Sequence, residues 1–286
     1  MNNIVFFGSS EYSVIAAKTI HTKIPISLTI TLTDRPNKKG ALTPNPVKVF
    51  AQENNIPVIT TNKLDEKVIE EIQKKNPDFL IVADFGLILP QKLLNLPKYA
   101  PLNIHHSLLP QYKGPSPAPT AILNGDKITG VTVIKITDKV DAGNILAQKE
   151  YEIKENETTA SLLKELNKLG GEIIIPVIEF FVSGNIQEIK QNESKATYTK
   201  FMKKTDGLID PENPPDPNAL DRMTRAYFPW PNVWFKTNFL GKEKIIKILP
   251  DKKIQVEGKN IMTHKDFING YQEEGKATLR KLKLIE

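Results

Sequence analysis

At 286 residues and 32.2 kDa, with 40% hydrophobic and 25% charged residues, the chain has the make-up of one or two globular domains, not of a fibre or a disordered tail. No apolar run is long enough to span a bilayer, and the absence of cysteine excludes disulfides, thiolate metal ligands and a thiol nucleophile. The net charge of +6 is compatible with a polyanionic partner, and residues 241–286 hold eleven basic against seven acidic residues.

The opening run to Phe7 reads as a strand rather than a targeting peptide, so a cytoplasmic protein is expected. Residues 4–7 form a buried strand, and Gly8-Ser9-Ser10-Glu11 turns into a helix that reaches about Ile20, with Ser9 or Ser10 as its cap. Residues 26–32 read as a strand, 33–46 as a long loop, 47–54 and 65–75 as helices, and 79–83 as a continuous apolar strand. Strands separated by helices of this length predict an α/β fold: a Rossmann-like, mostly parallel sheet with helices on both faces and its chemistry at the carboxyl ends of the strands.

After residue 130 the pattern changes. Residues 131–136 and 145–153 look like strands, and 158–182 like one long helix with Pro176 inside, where a kink is expected. A polar stretch then runs to the proline-rich segment 210–217, and short β-like pieces at 233–237, 244–249 and 253–257 follow. The expected organisation is a catalytic domain over 1–183, a linker over 184–218 and a small β-rich domain over 219–286.

The most informative stretch is Asn103-Ile104-His105-His106-Ser107-Leu108-Leu109-Pro110. Residues two apart on a strand face the same side, so Asn103 and His105 point together and His106 points away. An amide beside an imidazole at a strand end suits attack on a carbonyl and stabilisation of the oxyanion that results. A carboxylate must orient the imidazole. Asp141, in the tight run Val140-Asp141-Ala142-Gly143, is the first candidate, and Asp138 and Asp126 compete with it. Such a carboxylate is expected to raise the pKa of His105.

Taken together, several stretches resemble the folate-dependent formyltransferases. They are Asn103-x-His105-x-Ser107-Leu108-Leu109-Pro110 with Gly114, Gly125-Asp126, Thr129-Gly130-Val131-Thr132, Asp141-x-Gly143, Phe85-Gly86-Leu87-Ile88-Leu89-Pro90 and Arg225-Ala226-Tyr227-x-Pro229-Trp230-Pro231. The resemblance implies a catalytic triad of Asn103, His105 and Asp141. It implies 10-formyltetrahydrofolate as donor and the α-amine of methionyl initiator tRNA as acceptor. It also implies folate contacts from Phe85, Gly86, Leu87, Ile88, Ser107, Leu108, Leu109, Pro110, Asp138 and Val140. Arg35, Lys38 and Lys39 fall where the family's loop reaches tRNA. No metal is implied, and a monomer is expected. A sugar-nucleotide N-formyltransferase would use the same donor and triad, so that acceptor is the alternative. The C-terminal part is shorter than the family's OB-like barrel, so a reduced version is expected.

Other features take plainer readings. His106 is expected to be structural, because adjacent histidines on a strand chelate one ion poorly. G-x-G-x-x-G and Walker A spacings are absent, so the first turn is not a phosphate cradle. Asp84 either touches a ligand or caps a turn, and Trp230 is expected to pack in a Pro–Trp–Pro elbow rather than serve as a stacking platform.

Overall fold

The computed structural model describes residues 3–36, 40–239 and 241–285. In chain order the first elements are β1 (Ile4–Phe7), α1 (Glu11–Lys23), β2 (Ile26–Thr31), the short β3 (Arg35–Pro36) and β4 (Leu42–Thr43), and α2 (Pro46–Glu53). Next come β5 (Val58–Thr60), α3 (Glu66–Gln73), β6 (Phe79–Val82), α4 (Gln91–Leu94) and β7 (Ala100–His105). They are followed by α5 (Pro117–Asn124), β8 (Ile128–Lys135), β9 (Ile145–Glu152), α6 (Thr159–Val182) and α7 (Pro217–Ala226). The chain closes with β10 (Val233–Phe239), β11 (Lys242–Leu249), β12 (Lys253–Val256), β13 (Met262–Thr263) and α8 (His264–Lys281).

Two compact units result. One runs to Gly114 and takes in Thr129–Glu152 and Leu163–Tyr198; the other holds Pro115–Ile128, Ile153–Leu162 and the chain from Thr199. The first unit is built on a seven-stranded sheet in the order β5-β2-β1-β6-β7-β8-β9. Its first five strands are parallel, and β8 runs antiparallel to β7. Burial on both faces explains the unbroken apolar runs. Ile4 and Phe6 pack with residues of α1, α2 and α6 on one face. Val5 and Phe7 pack with residues of α3 and α4 on the other.

The helix starts follow local chemistry. Ser10 caps α1 by accepting from the Ser13 N–H at 2.9 Å, and Asn45 caps α2 by accepting from the Val47 N–H at 2.9 Å, ahead of Pro46 at the first helical position. Helix α6 continues through Pro176 without interruption.

In the second unit β10 to β13 form a four-stranded antiparallel meander. Residues 264–281, beyond the last β-like piece expected from the sequence, form a helix bent at Gln272. Phe267 of this helix stacks on Phe239 of β10 at 5.7 Å between ring centres, which supplies apolar cover for a sheet too small to close on itself. Trp230 departs from expectation: it is 55% exposed, and Tyr227 and Val233 take the buried places on either side. Among the described residues no helix is long and apolar enough to cross a membrane.

Candidate functional site

Strand β7 carries the site. Parallel pairing with β6 sets Asn103 opposite Val82, and antiparallel pairing with β8 sets Asn103 opposite Ile134 and His105 opposite Thr132. Ile104, between them, is sunk in the core beneath α1 and α6, so Asn103 and His105 project from the other face. Ser107 closes the strand end: its Oγ donates to the Gln111 carbonyl at 2.6 Å, and its own carbonyl accepts from Thr132 Oγ1 at 2.6 Å. The Leu109 N–H donates to Thr132 Oγ1 at 3.1 Å, and its carbonyl accepts from Gln148 Nε2 at 2.8 Å.

Asp141 reaches this face from the loop between β8 and β9. One carboxylate oxygen lies 3.6 Å from His105 Nδ1 and accepts from the Gly114 N–H at 2.8 Å. The other accepts from Asn103 Nδ2 at 3.4 Å. The loop has little room for variation. Asp141 has φ +49°, and a Cβ on Gly143 would lie 1.6 Å from the Lys135 carbonyl oxygen.

His105 is 5% exposed, and its Nε2 lies 2.9 Å from the Tyr112 carbonyl oxygen. A carbonyl only accepts, so Nε2 carries the proton and, in the neutral ring, Nδ1 holds the lone pair. The expected rise in the His105 pKa is not found. Burial pushes it below its ordinary 6.5 and outweighs the upward pull of Asp141 and of the Tyr112 carbonyl. Burial therefore favours the neutral imidazole.

The other predicted residues fall in three groups. Phe85 meets Phe7 edge-on at 5.5 Å, Gly86 is exposed, Leu87 is half-buried and Ile88 is 85% exposed. Asp138 and Val140 are also exposed, while Ser107 and Leu109 are buried with Leu108 and Pro110 half-buried. Arg35 lines a cavity of about 330 Å³ with Ser9, Ser10, Thr33 and Asn45, whereas Lys38 and Lys39 lie outside the described residues.

A second carboxylate–imidazole pair sits behind the first. Asp84 Oδ1 lies 3.4 Å from His106 Nδ1, and its Oδ2 accepts from Ser10 Oγ at 3.0 Å and Asn167 Nδ2 at 3.1 Å. Asp84 therefore ties strand ends to helices. Gly114 stands in the sequence motif without a role there, while Tyr112, Lys113, Gln191 and Glu193 went unnoticed. Only the glycine at 114, whose φ is +107°, carries a local signal.

Comparison with known proteins adds the following. The family described as formyl transferase matches residues 2–178. A methionyl-tRNA formyltransferase of Chloroflexus aggregans is 40% identical over 81% of this chain and 75% of its own length. One from Citrifermentans bemidjiense is 33% identical over 97% and 96%. Among solved structures, a methionyl-tRNA formyltransferase from Clostridium thermocellum superposes with a TM-score of 0.60 at 16% identity, covering 92% of this chain and 98% of that one, which is a likeness of fold.

Proposed function

The chain belongs to the methionyl-tRNA formyltransferase family, and from that premise we propose that it moves the formyl group of 10-formyltetrahydrofolate to the α-amine of methionyl initiator tRNA. The observation that carries the reading is the meeting of Asn103, His105 and Asp141 at one strand end, held by Gly114 N–H and Tyr112 C=O.

The neutral His105 serves as base. Its Nδ1 takes a proton as the amine nitrogen bonds to the formyl carbon, and Asp141, 3.6 Å away, stabilises the imidazolium that forms. Asn103 spends one amide hydrogen on Asp141 and turns the other toward the oxyanion. His105 then returns its proton to N10 of the folate as the carbon–nitrogen bond to the donor breaks. One N–C bond forms, one breaks, and the proton passes from amine to leaving nitrogen. A single shuttling proton needs no covalent enzyme intermediate.

The exposed Ile88 and Val140 provide apolar contact for the pterin beside Asp138, and the backbone of residues 85–88 provides its polar partners. The lip from Ser107 to Pro110, anchored through Thr132 and Gln148, bounds the donor site. Arg35, at the cavity beside Ser9 and Ser10, supports a phosphate contact with the acceptor end of tRNA. The test is formyl transfer from labelled donor to charged initiator tRNA, run beside an amino-sugar nucleotide. Labelled formyl-methionyl-tRNA is the expected product; label on the sugar nucleotide alone would sink the tRNA acceptor and keep the donor chemistry.

A further inference from the structure

Residues 189–197 lie in a stretch that reads by composition as linker, yet they grip the rim of the sheet at two points. Gln191, 5% exposed, donates from Nε2 to the carbonyl of Asp141 at 2.8 Å and to that of Gly143 at 2.7 Å. Just before it, Ile189 exchanges backbone hydrogen bonds with Ile145 at 2.8 and 2.9 Å. Glu193 receives Lys113 Nζ at 2.7 and 3.0 Å, and that lysine side chain is 2% exposed. Thr197 accepts from the Lys113 N–H at 2.8 Å through its carbonyl and from the Tyr112 N–H at 2.8 Å through Oγ1.

Each grip falls next to a contact of the site. Tyr112 and Gly114, on either side of Lys113, supply the carbonyl at His105 Nε2 and the N–H at Asp141 Oδ2. Tyr112 has φ +58° and Asp141 φ +49°, conformations that a non-glycine residue keeps only under outside constraint. We propose that residues 189–197 form a brace that sets the His105–Asp141 geometry, with Gln191, Lys113 and Glu193 as positioning residues; this rests on the reading of His105 and Asp141 as the reacting groups.

The charge logic gives a readout beyond activity. His105 faces Asp141 from the loop after β8, Asp84 from the turn after β6, and His106 from the position just past β7. Burial holds the ring neutral while Asp141 and the Tyr112 carbonyl favour the protonated form, so loosening either grip moves the midpoint, by admitting water or by releasing those partners.

The experiment follows the imidazole resonances of the full-length protein by NMR against pH. The chain has four histidines, and His105→Gln identifies the signal. In Gln191→Ala and Lys113→Met the His105 midpoint shifts from its wild-type value, and formyl transfer slows on the order of tenfold to a hundredfold while circular dichroism is unchanged. Lys113→Arg, which keeps the cation, stays near the wild type in both. Should Lys113→Met fail to fold, Gln191→Ala, which removes no charge, decides alone. A His105 midpoint and a formyl-transfer rate that are both unchanged in folded Gln191→Ala overturn the brace. Absence of formyl transfer by the wild-type protein would overturn the proposed function, while the titration would still decide the brace.

Discussion

Two carboxylate–imidazole pairs flank the end of β7. His105 and His106 are each 5% exposed, and each meets an aspartate within 3.6 Å. The partners differ in where they are anchored. Asp141 is fastened by loop atoms, chiefly the Gly114 N–H, and His105 is turned by a loop carbonyl at residue 112. Asp84 is fastened by Ser10 at the start of α1 and by Asn167 within α6, the helices that cover the core face. In the proposed function, the first arrangement leaves the Nδ1 lone pair of His105 and one Asn103 hydrogen for chemistry. In the second, the carboxylate joins two helices to a strand end. Residue type therefore does not separate the pair proposed to react from the one that serves as a strut; the elements that hold each pair do.

The contrast can be broken most severely at the first pair. His105→Ala and Asp141→Asn are expected to lower kcat by roughly 10²–10⁴, and Asn103→Ala by about 3 kcal/mol of transition-state stabilisation, as read in steady-state formyl transfer with folding unchanged. At the second pair the effect moves from rate to stability. Asp84→Ala and His106→Ala should each cost about 1–3 kcal/mol in urea unfolding, since each strands a buried polar partner. The double variant should cost less than both together, with a coupling of about 0.5–3 kcal/mol. A kcat loss at Asp84 as large as that at Asp141 would erase the distinction.

A pH series sharpens the same comparison. His105 titrates below its ordinary 6.5 because burial disfavours the charged ring, so the unfolded chain binds its proton more readily than the folded one. Its contribution to stability is full above about pH 6.5 and is lost as pH falls through the lower folded value. Urea midpoints should therefore drop on that side, and His105→Gln should flatten the drop. The smallest stability effect belongs to Ile88, 85% exposed: Ile88→Ala should change stability by no more than about 0.5 kcal/mol while raising KM for the folate donor.

Much was legible in the chain itself. Unbroken apolar runs at 4–7 and 79–82 announce strands buried on both faces, and the alternation within 103–105 puts the amide and imidazole on one side. These signals are local, set by backbone geometry and the burial of neighbouring side chains. The pairing of Asp141 with His105 spans 36 positions and depends on a loop forced into left-handed conformation, so spacing left Asp138 and Asp126 in contention. Composition marked 184–218 as linker because polar residues look alike whether they face solvent or a backbone carbonyl; only the fold shows Gln191 and Glu193 turned inward. The same holds for the pKa of His105, since charge pairing can be read from residue types but the burial that outweighs it comes from the packed chain. Sequence alone determined the long buried strands and the Asn103–His105 pair, because those depend on near neighbours, but not the short β3, β4, β5 and β13 or the Asn45 cap. Tertiary structure decided which distant groups hold that pair and in what protonation state, because desolvation and strain exist only once the segments have met.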